Sequence, residues 1–442
     1  MSTPQISKPF SRRQFIATTA LALAAPNILV GCATAGKRRK PANERITIGV
    51  VGWGMMGPTN TNAFLAIPDC QVVAACDLDT NHLGAAVKTV NDYYANKDCV
   101  AYHDYREMLA RKDIDAVMLA VPDNWHALMA TEAARQGKDI YGEKPLARTI
   151  AEQQAIVRAV QKHKVIWQTG SWQRSVNNFH KAEEIVRNGL IGKVTHVEVG
   201  LPGGHTDFAG TGAFMTPSEP PTELDYERWI GPAHMEPYIK GRIHKNWRWN
   251  YNIGGGQLLD WIGHHCDIAH WGLGFDLAGP SEIEGHGEFP AADAVWNTCT
   301  KYRIKLQYPD AVTMTISGGY DDFKDGTKWI GSDGWVWVDR GEFEASNPEW
   351  KRWKNLPEAL RKIPLIKSSS HHENFIESVK SRRPTITPVE VAHHSAIPGH
   401  LGLISMLVGR KIKWDTRSEK IIGDAEASKL LSRGYRHPWK LA

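Results

Sequence analysis

The stretch Ile46-Thr-Ile-Gly-Val-Val-Gly52-Trp-Gly54-Met55-Met56-Gly57 constrains this chain more than any other. Residues 46–51 form an apolar run that fits a strand buried on both faces, as a parallel sheet requires. The glycines then follow as Gly-x-Gly-x-x-Gly. The first suits a tight turn, and the second lets backbone approach a pyrophosphate. The third lets the next helix pack close, with the N–H groups of its start, around Met55 and Met56, aimed at the phosphates. A second apolar run, residues 70–76, ends at Asp77, 20 residues beyond Gly57. A carboxylate there would accept hydrogen bonds from ribose hydroxyls. Spacing and context together read as a dinucleotide site. Asp77 favours NAD, because a carboxylate repels a 2′-phosphate, and NADP stays open as the alternative.

The chain has 442 residues, enough for two domains with substantial cores. Its net charge of +5 is concentrated at the start, where residues 1–40 hold seven basic and no acidic side chains. The remainder is near neutral, which excludes a basic footprint for nucleic acid. Ser11-Arg12-Arg13-Gln14-Phe15-Ile16 precedes an apolar run to Val30 that is too short for a membrane span and fits a twin-arginine signal. Leu29-Val30-Gly31-Cys32 resembles a bacterial lipoprotein processing box, which implies a lipid anchor on Cys32 as the sole membrane attachment. The expected organisation is a signal over 1–32, a tether over 33–44, a Rossmann domain over 45–168 and an α/β domain over 169–442. An exported, periplasmic or membrane-anchored protein follows. The remaining cysteines, Cys70, Cys76, Cys99, Cys266 and Cys299, are odd in number and irregularly spaced, so they read as core residues.

Through about residue 169, strands alternate with helices, including strands over 114–121, 139–142 and 165–169 and helices over 127–136 and 150–163. This order implies right-handed crossovers and a parallel sheet, with ligands beyond the carboxyl ends of the strands. The pattern then changes. A Gly/Pro-rich stretch over 202–237 has few periodic signals and is long enough to be functional. Gly254-Gly255-Gly256 opens a helix over 257–272, and strand-like runs over 281–338 follow without intervening helices, implying an antiparallel sheet. Helices are expected over 371–382, 388–409 and 424–433.

Lys144 follows a strand directly, between Glu143 and Pro145, where it can bond a substrate hydroxyl. On the helix after the glycines, Asp260, His264 and Asp267 stand at i, i+4 and i+7 and share a face among apolar neighbours. Three readings stay open: His264 as an acid/base oriented by Asp260, a metal site with Asp267 and His270, or a satisfied polar network. Trp172, Trp247, Trp249 and Trp261 could stack on sugar faces, while Arg174, Arg242, His244 and His265 could bind hydroxyls.

Gly52-x-Gly54-x-x-Gly57, Pro122-Asp-Asn-Trp-His126, Glu143-Lys144-Pro145 and Gly254-Gly-Gly-x-x-x-Asp260-x-x-x-His264-x-x-Asp267 together resemble the glucose–fructose oxidoreductase, inositol dehydrogenase and rhizopine-catabolism family, Gfo/Idh/MocA. The resemblance implies a Rossmann domain and an α/β domain whose open, mainly antiparallel sheet makes homo-oligomers. It implies Lys144, Asp260 and His264 as the catalytic set and Pro122, His126 and Glu143 at the cofactor, with a cis bond before Pro145. It assigns no metal. The activity implied is NAD(P)-dependent oxidation of a sugar or polyol, and an exported enzyme without a soluble nicotinamide pool would need to retain its cofactor. Two alternatives are an NAD-dependent glycosidase working through a transient keto-sugar, against which Glu143-Lys144-Pro145 leans, and a catalytically inactive sugar-binding protein.

Overall fold

The computed structural model describes residues 41 and 44–441; the expected signal, Cys32 and nearly all of the tether lie outside them. Six parallel strands form the first sheet: β1 (Ile46–Val51), β2 (Cys70–Cys76), β3 (Val100–Tyr102), β4 (Ala116–Leu119), β5 (Asp139–Gly142) and β6 (Trp167–Thr169). Their order is β3-β2-β1-β4-β5-β6. The chain therefore reverses its direction of progress between β1 and β4, and such a switch point leaves a crevice outside the carboxyl ends. Five helices connect the strands: α1 (Met56–Leu65), α2 (Thr80–Tyr94), α3 (Tyr105–Leu109), α4 (Asp123–Arg135) and α5 (Ile150–His163). Asp79 caps α2 by accepting from Asn81 and His82 N–H, and Thr149 and Glu152 form a reciprocal capping box on α5. Helix α4 starts at Asp123, four residues before the expected Ala127, because Pro122 takes the extended cap position and the helix begins at once. The Pro-Asp-Asn-Trp-His motif is thus a first helical turn.

Beyond α6 (Asn177–Arg187), nine strands form the second sheet: β7 (Val194–Leu201), β8 (Glu282–Glu288), β9 (Lys301–Gln307), β10 (Thr313–Gly318), β11 (Gly326–Gly331), β12 (Trp335–Asp339), β13 (Glu342–Ala345), β14 (Ile412–Asp415) and β15 (Lys420–Ile422). The order is β13-β12-β11-β7-β10-β9-β8-β14-β15, and the β7–β10 pair is parallel within a sheet that is otherwise antiparallel. Helices α6, α7 (Tyr226–Ile230), α8 (Gly256–Leu273), α9 (Pro348–Arg352), α10 (His371–Ser381), α11 (Val389–Val408) and α12 (Ala425–Lys429) complete this half. Leu258, Ile262 and Cys266 of α8 and Ile397 and Leu401 of α11 bury against Ile304, Met314 and Trp329 of the sheet. Phe375 and Val379 of α10 join the core of the first sheet, so the last helices return to the N-terminal half.

The Gly/Pro-rich stretch also returns there. Glu223 O accepts from Thr80 N–H at 2.9 Å, and Leu78 O accepts from Asp225 N–H at 3.1 Å, around a single Asp79–Leu224 bridge. The helix expected over 424–433 ends at Lys429. The chain after it is held by backbone and side chains together: Leu431 O accepts from Ala151 N–H, Arg436 N–H donates to Pro232 O, Arg433 pairs with Glu152, and Trp439 meets Trp125 edge-on. All five described cysteines are buried. Among the described residues no helix is long and apolar enough to cross a membrane.

Candidate active site

The glycines of the β1–α1 turn have separable roles. Gly52 has φ +89°, and a Cβ there would stand 2.3 Å from Ala120 O. A Cβ on Gly57 would stand 2.1 Å from Gly52 O, so α1 can begin this close to the strand only without a side chain. Gly54 has nothing within 4 Å of its missing Cβ, and no side chain caps the start of α1. Open space beside unsatisfied N–H groups is what a pyrophosphate requires. Asp77 closes the far end. Its Oδ2 accepts from Trp53 N–H at 2.7 Å and its Oδ1 from Asp79 N–H at 2.9 Å, which aims the carboxylate and leaves lone pairs for ribose hydroxyls.

Gly52, Gly54, Met55, Met56, Asp77, Pro122, Glu143 and Lys144 all line one crevice. Gly57 lies behind the turn. His126 lies behind as well, because its ring nitrogens sit 2.8 Å from Pro145 O and 3.0 Å from Val121 O. It ties the ends of β4 and β5 together instead of touching the crevice, which corrects the expectation of a direct cofactor contact. Glu143 is buried, accepts from Asn60 Nδ2 at 2.8 Å, and has its carboxyl pushed up, foremost by burial.

Lys144 lies at the crevice mouth, and the Lys144–Pro145 bond is cis. Its Nζ donates to Asp260 Oδ1 at 2.9 Å and Asp260 O at 2.8 Å. Arg248 Nε donates to the same Oδ1 at 2.9 Å. Burial works against the Asp260 charge, but the two cations outweigh it and hold the carboxyl far below its usual range. One turn along α8, His264 is buried, and its Nδ1 has no hydrogen-bond partner. Burial first, then the charges of Lys144 and Arg340, push its pKa well below 6.5, so the ring is neutral at pH 7. Gly263 lets Lys144 pack close to α8, since a Cβ there would stand 3.1 Å from Lys144 Cβ and press on it.

The expected substrate residues divide. Trp247 and His244 line the crevice, and Trp172 approaches the His264 ring at 6.3 Å. Arg174 does not reach it: the guanidinium is buried and held by Asp267 at 2.7 and 2.8 Å and by Asp276 at 2.7 Å. Arg242 is likewise buried, bonded to Glu236, Tyr226 Oη and Pro237 O. His265 is buried under Trp261, which stacks on it at 6.0 Å. Asp267 and His270 have their own partners, Arg174 and Tyr308 Oη, so Asp260, His264, Asp267 and His270 do not converge on a metal. Asp79, His82 and His244 do bring donor atoms within 4.8 Å of one another beside Asp77, a grouping that no spacing announced. Sequence reasoning also missed Arg248, Arg340 and Trp439, which reach the site from a 3-10 helix (His244–Trp249), a hairpin turn and the C-terminal tail.

The geometry agrees with comparisons to known proteins. The "Oxidoreductase family, NAD-binding Rossmann fold" matches residues 46–171, and the "Oxidoreductase family, C-terminal alpha/beta domain" of Gfo/Idh/MocA type matches 175–441. A glycosyl hydrolase family 109 protein from Shewanella sp. (strain ANA-3) is 31% identical over 212 residues, 43% of this chain and 45% of that protein. Myo-inositol 2-dehydrogenase from Thermotoga maritima is 30% identical over 230 residues, 52% and 55% of the two chains. The matched stretch is thus about half the length of these curated relatives. Among solved structures, the WlbA dehydrogenase from Bordetella pertussis in complex with NADH and UDP-GlcNAcA shares the fold with a TM-score of 0.60 at 17% identity, covering 84% of this chain and 99% of that one. With both of its halves matched, the chain belongs to the Gfo/Idh/MocA family of NAD-binding oxidoreductases.

Proposed function

We propose that this chain is an exported oxidoreductase that oxidises a hydroxyl of a sugar or polyol and keeps its NAD between turnovers. One observation carries the reading: Lys144, fixed by Asp260, lines the dinucleotide crevice, and the neutral ring of His264 stands one turn along α8 from that Asp260. The cofactor, when bound, supplies the hydride acceptor. Asp260 occupies two donors of the Lys144 ammonium and leaves a third for the substrate oxygen. The positive charge stabilises the alkoxide that develops as the C–H bond breaks. The neutral ring of His264 accepts the hydroxyl proton, so the carbonyl product is neutral and the charges balance. Trp172 and Trp247 offer flat faces to the sugar ring.

The export reading rests on Arg12-Arg13 and the apolar run after them, with a lipid anchor at Cys32. The second sheet, open on one face, is the proposed surface for homo-oligomers. The family 109 relatives favour a second reading, an NAD-dependent glycosidase acting through a transient keto-sugar.

The test is the absorbance of desalted, signal-free protein before and after a panel of sugars and nitrophenyl glycosides. A reduced-nicotinamide band that rises with a sugar supports oxidation. Nitrophenol release without net cofactor reduction supports the glycosidase. Protein that desalts bare and shows no tryptophan quenching by NAD removes both and leaves a sugar-binding protein.

A further inference from the structure

Arg340 stands in the turn between β12 and β13, over two indoles. Its guanidinium carbon is 4.7 Å from the ring centroid of Trp172 and 4.5 Å from that of Trp261. The same two indoles meet the His264 ring edge-on, at 6.3 and 5.5 Å. A fixed cation therefore stands one aromatic layer from the proposed proton acceptor, and its charge is felt at His264.

What distinguishes Arg340 is its lack of a counter-ion. Its side-chain bonds are two long ones to Gln173 Oε1, at 3.3 and 3.2 Å. Its neighbour Asp339 faces His265 Nε2 instead, at 3.3 Å, and Asp260 is taken by Lys144 and Arg248. Among the described residues no carboxylate comes within ion-pair distance of Arg340. Arg248 provides the contrast, since it also stacks on an indole, Trp247 at 4.4 Å, yet is paired with Asp260. Stacking fixes the guanidinium plane; Gln173 takes the Nε/Nη2 edge, and the Nη1/Nη2 edge that is left matches a carboxylate two bonds at a time.

We propose that Arg340, held by Trp172 and Trp261, forms an anion subsite beside His264, and that the sugar oxidised here carries a carboxylate, as a uronic acid does. This inference rests on Lys144, Asp260 and His264 being the reaction centre.

The test compares methyl glucuronide and methyl galacturonide with the matching neutral glycosides, using full-length protein and the variants Arg340→Gln and Arg340→Lys. Binding is read from quenching of tryptophan fluorescence, and turnover from cofactor reduction in the same samples. The expected result is tighter binding of a uronide than of its neutral partner by about tenfold or more. Arg340→Gln abolishes most of that preference and Arg340→Lys restores part of it, with unchanged circular dichroism. Equal binding of charged and neutral sugars, no binding of either uronide, or a preference that survives Arg340→Gln overturns the proposal. A uronide preference that depends on Arg340 in the quenching assay, with no cofactor reduction by any sugar, keeps the anion subsite and removes the oxidoreductase reading.

Discussion

Substitution separates the roles of the three glycines at the β1–α1 turn. Gly52→Ala meets backbone oxygen at 2.3 Å and a positive φ, so the turn must rebuild, at a cost of about 1–3 kcal/mol, and NAD binding is lost with stability. Gly54→Ala has open space, so it keeps the thermal midpoint while its methyl group crowds the pyrophosphate and weakens NAD binding. A thermal melt and an NAD titration on both variants check this. Equal effects of the two would refute the assigned geometry. Lys144→Met, which removes the proposed alkoxide stabiliser, lowers kcat by about a hundredfold or more while NAD stays bound. Unchanged kcat would remove Lys144 from the reaction centre. Asp77, Lys144, Asp260 and His264 were legible in the sequence because each is placed by its own strand end or helix face. Arg174 and Arg242 were misread because an arginine's role depends on its partner. Asp267, Asp276 and Glu236 claim them, and nothing local in the chain announces those pairings.

At the scale of elements, the first sheet could be read almost strand by strand, since every strand but β3 is a run ended by Gly, Pro or Asp. The short edge strand β3 was missed, with two of its three residues exposed and no apolar run to mark it. The second sheet was legible as antiparallel, but the insertion of β7 between β10 and β11, parallel to β10, was not. That register depends on α8 covering the face, a long-range condition. The tail after α12 illustrates the same limit. Its Trp439 lines the cofactor crevice, meets Trp125 at 4.8 Å between centroids and lies 5.8 Å from the Arg106 guanidinium. The tail thus closes the crevice from the other end of the chain. Trp439→Ala, losing an aromatic contact worth about 0.5–1.5 kcal/mol, speeds NAD loss about two- to tenfold with the fold intact. Cofactor remaining after timed desalting measures this, and an unchanged rate would exclude the tail from cofactor retention.

Over the whole molecule, the interior holds neutral histidines in a number that ties stability to pH. Burial is the main cause in each case: it pushes His270, His371 and His400 down to about 3 and His264 well below 6.5. In the unfolded chain each titrates near 6.5. Between these values the unfolded form carries a proton that the native form lacks, so stability is present above about pH 6.5 and is lost as pH falls. Each such histidine contributes a slope of about 1.4 kcal/mol per pH unit. Asp123 opposes them below about pH 6, because burial raises its carboxyl to about 6 and the native state then binds the extra proton. Burial also pushes up the carboxyls of Asp77, Asp139, Glu143, Glu183, Asp267 and Asp325, which oppose the histidines in the same sense. Among the described residues the ten histidines that burial pushes down outnumber these seven carboxyls, Asp123 included, so the net expectation is a urea midpoint that falls from pH 7 to pH 5. His270 is the place to test the cause: its Nε2 lies 2.7 Å from Tyr308 Oη, and its buried Nδ1 has no partner. His270→Gln can keep a bond to the tyrosine but cannot titrate. It is expected to lower stability at pH 7 and to flatten the pH dependence by about one proton. A variant with the same slope as the parent would mean that His270 protonates in the folded protein, and that the acid sensitivity has another source.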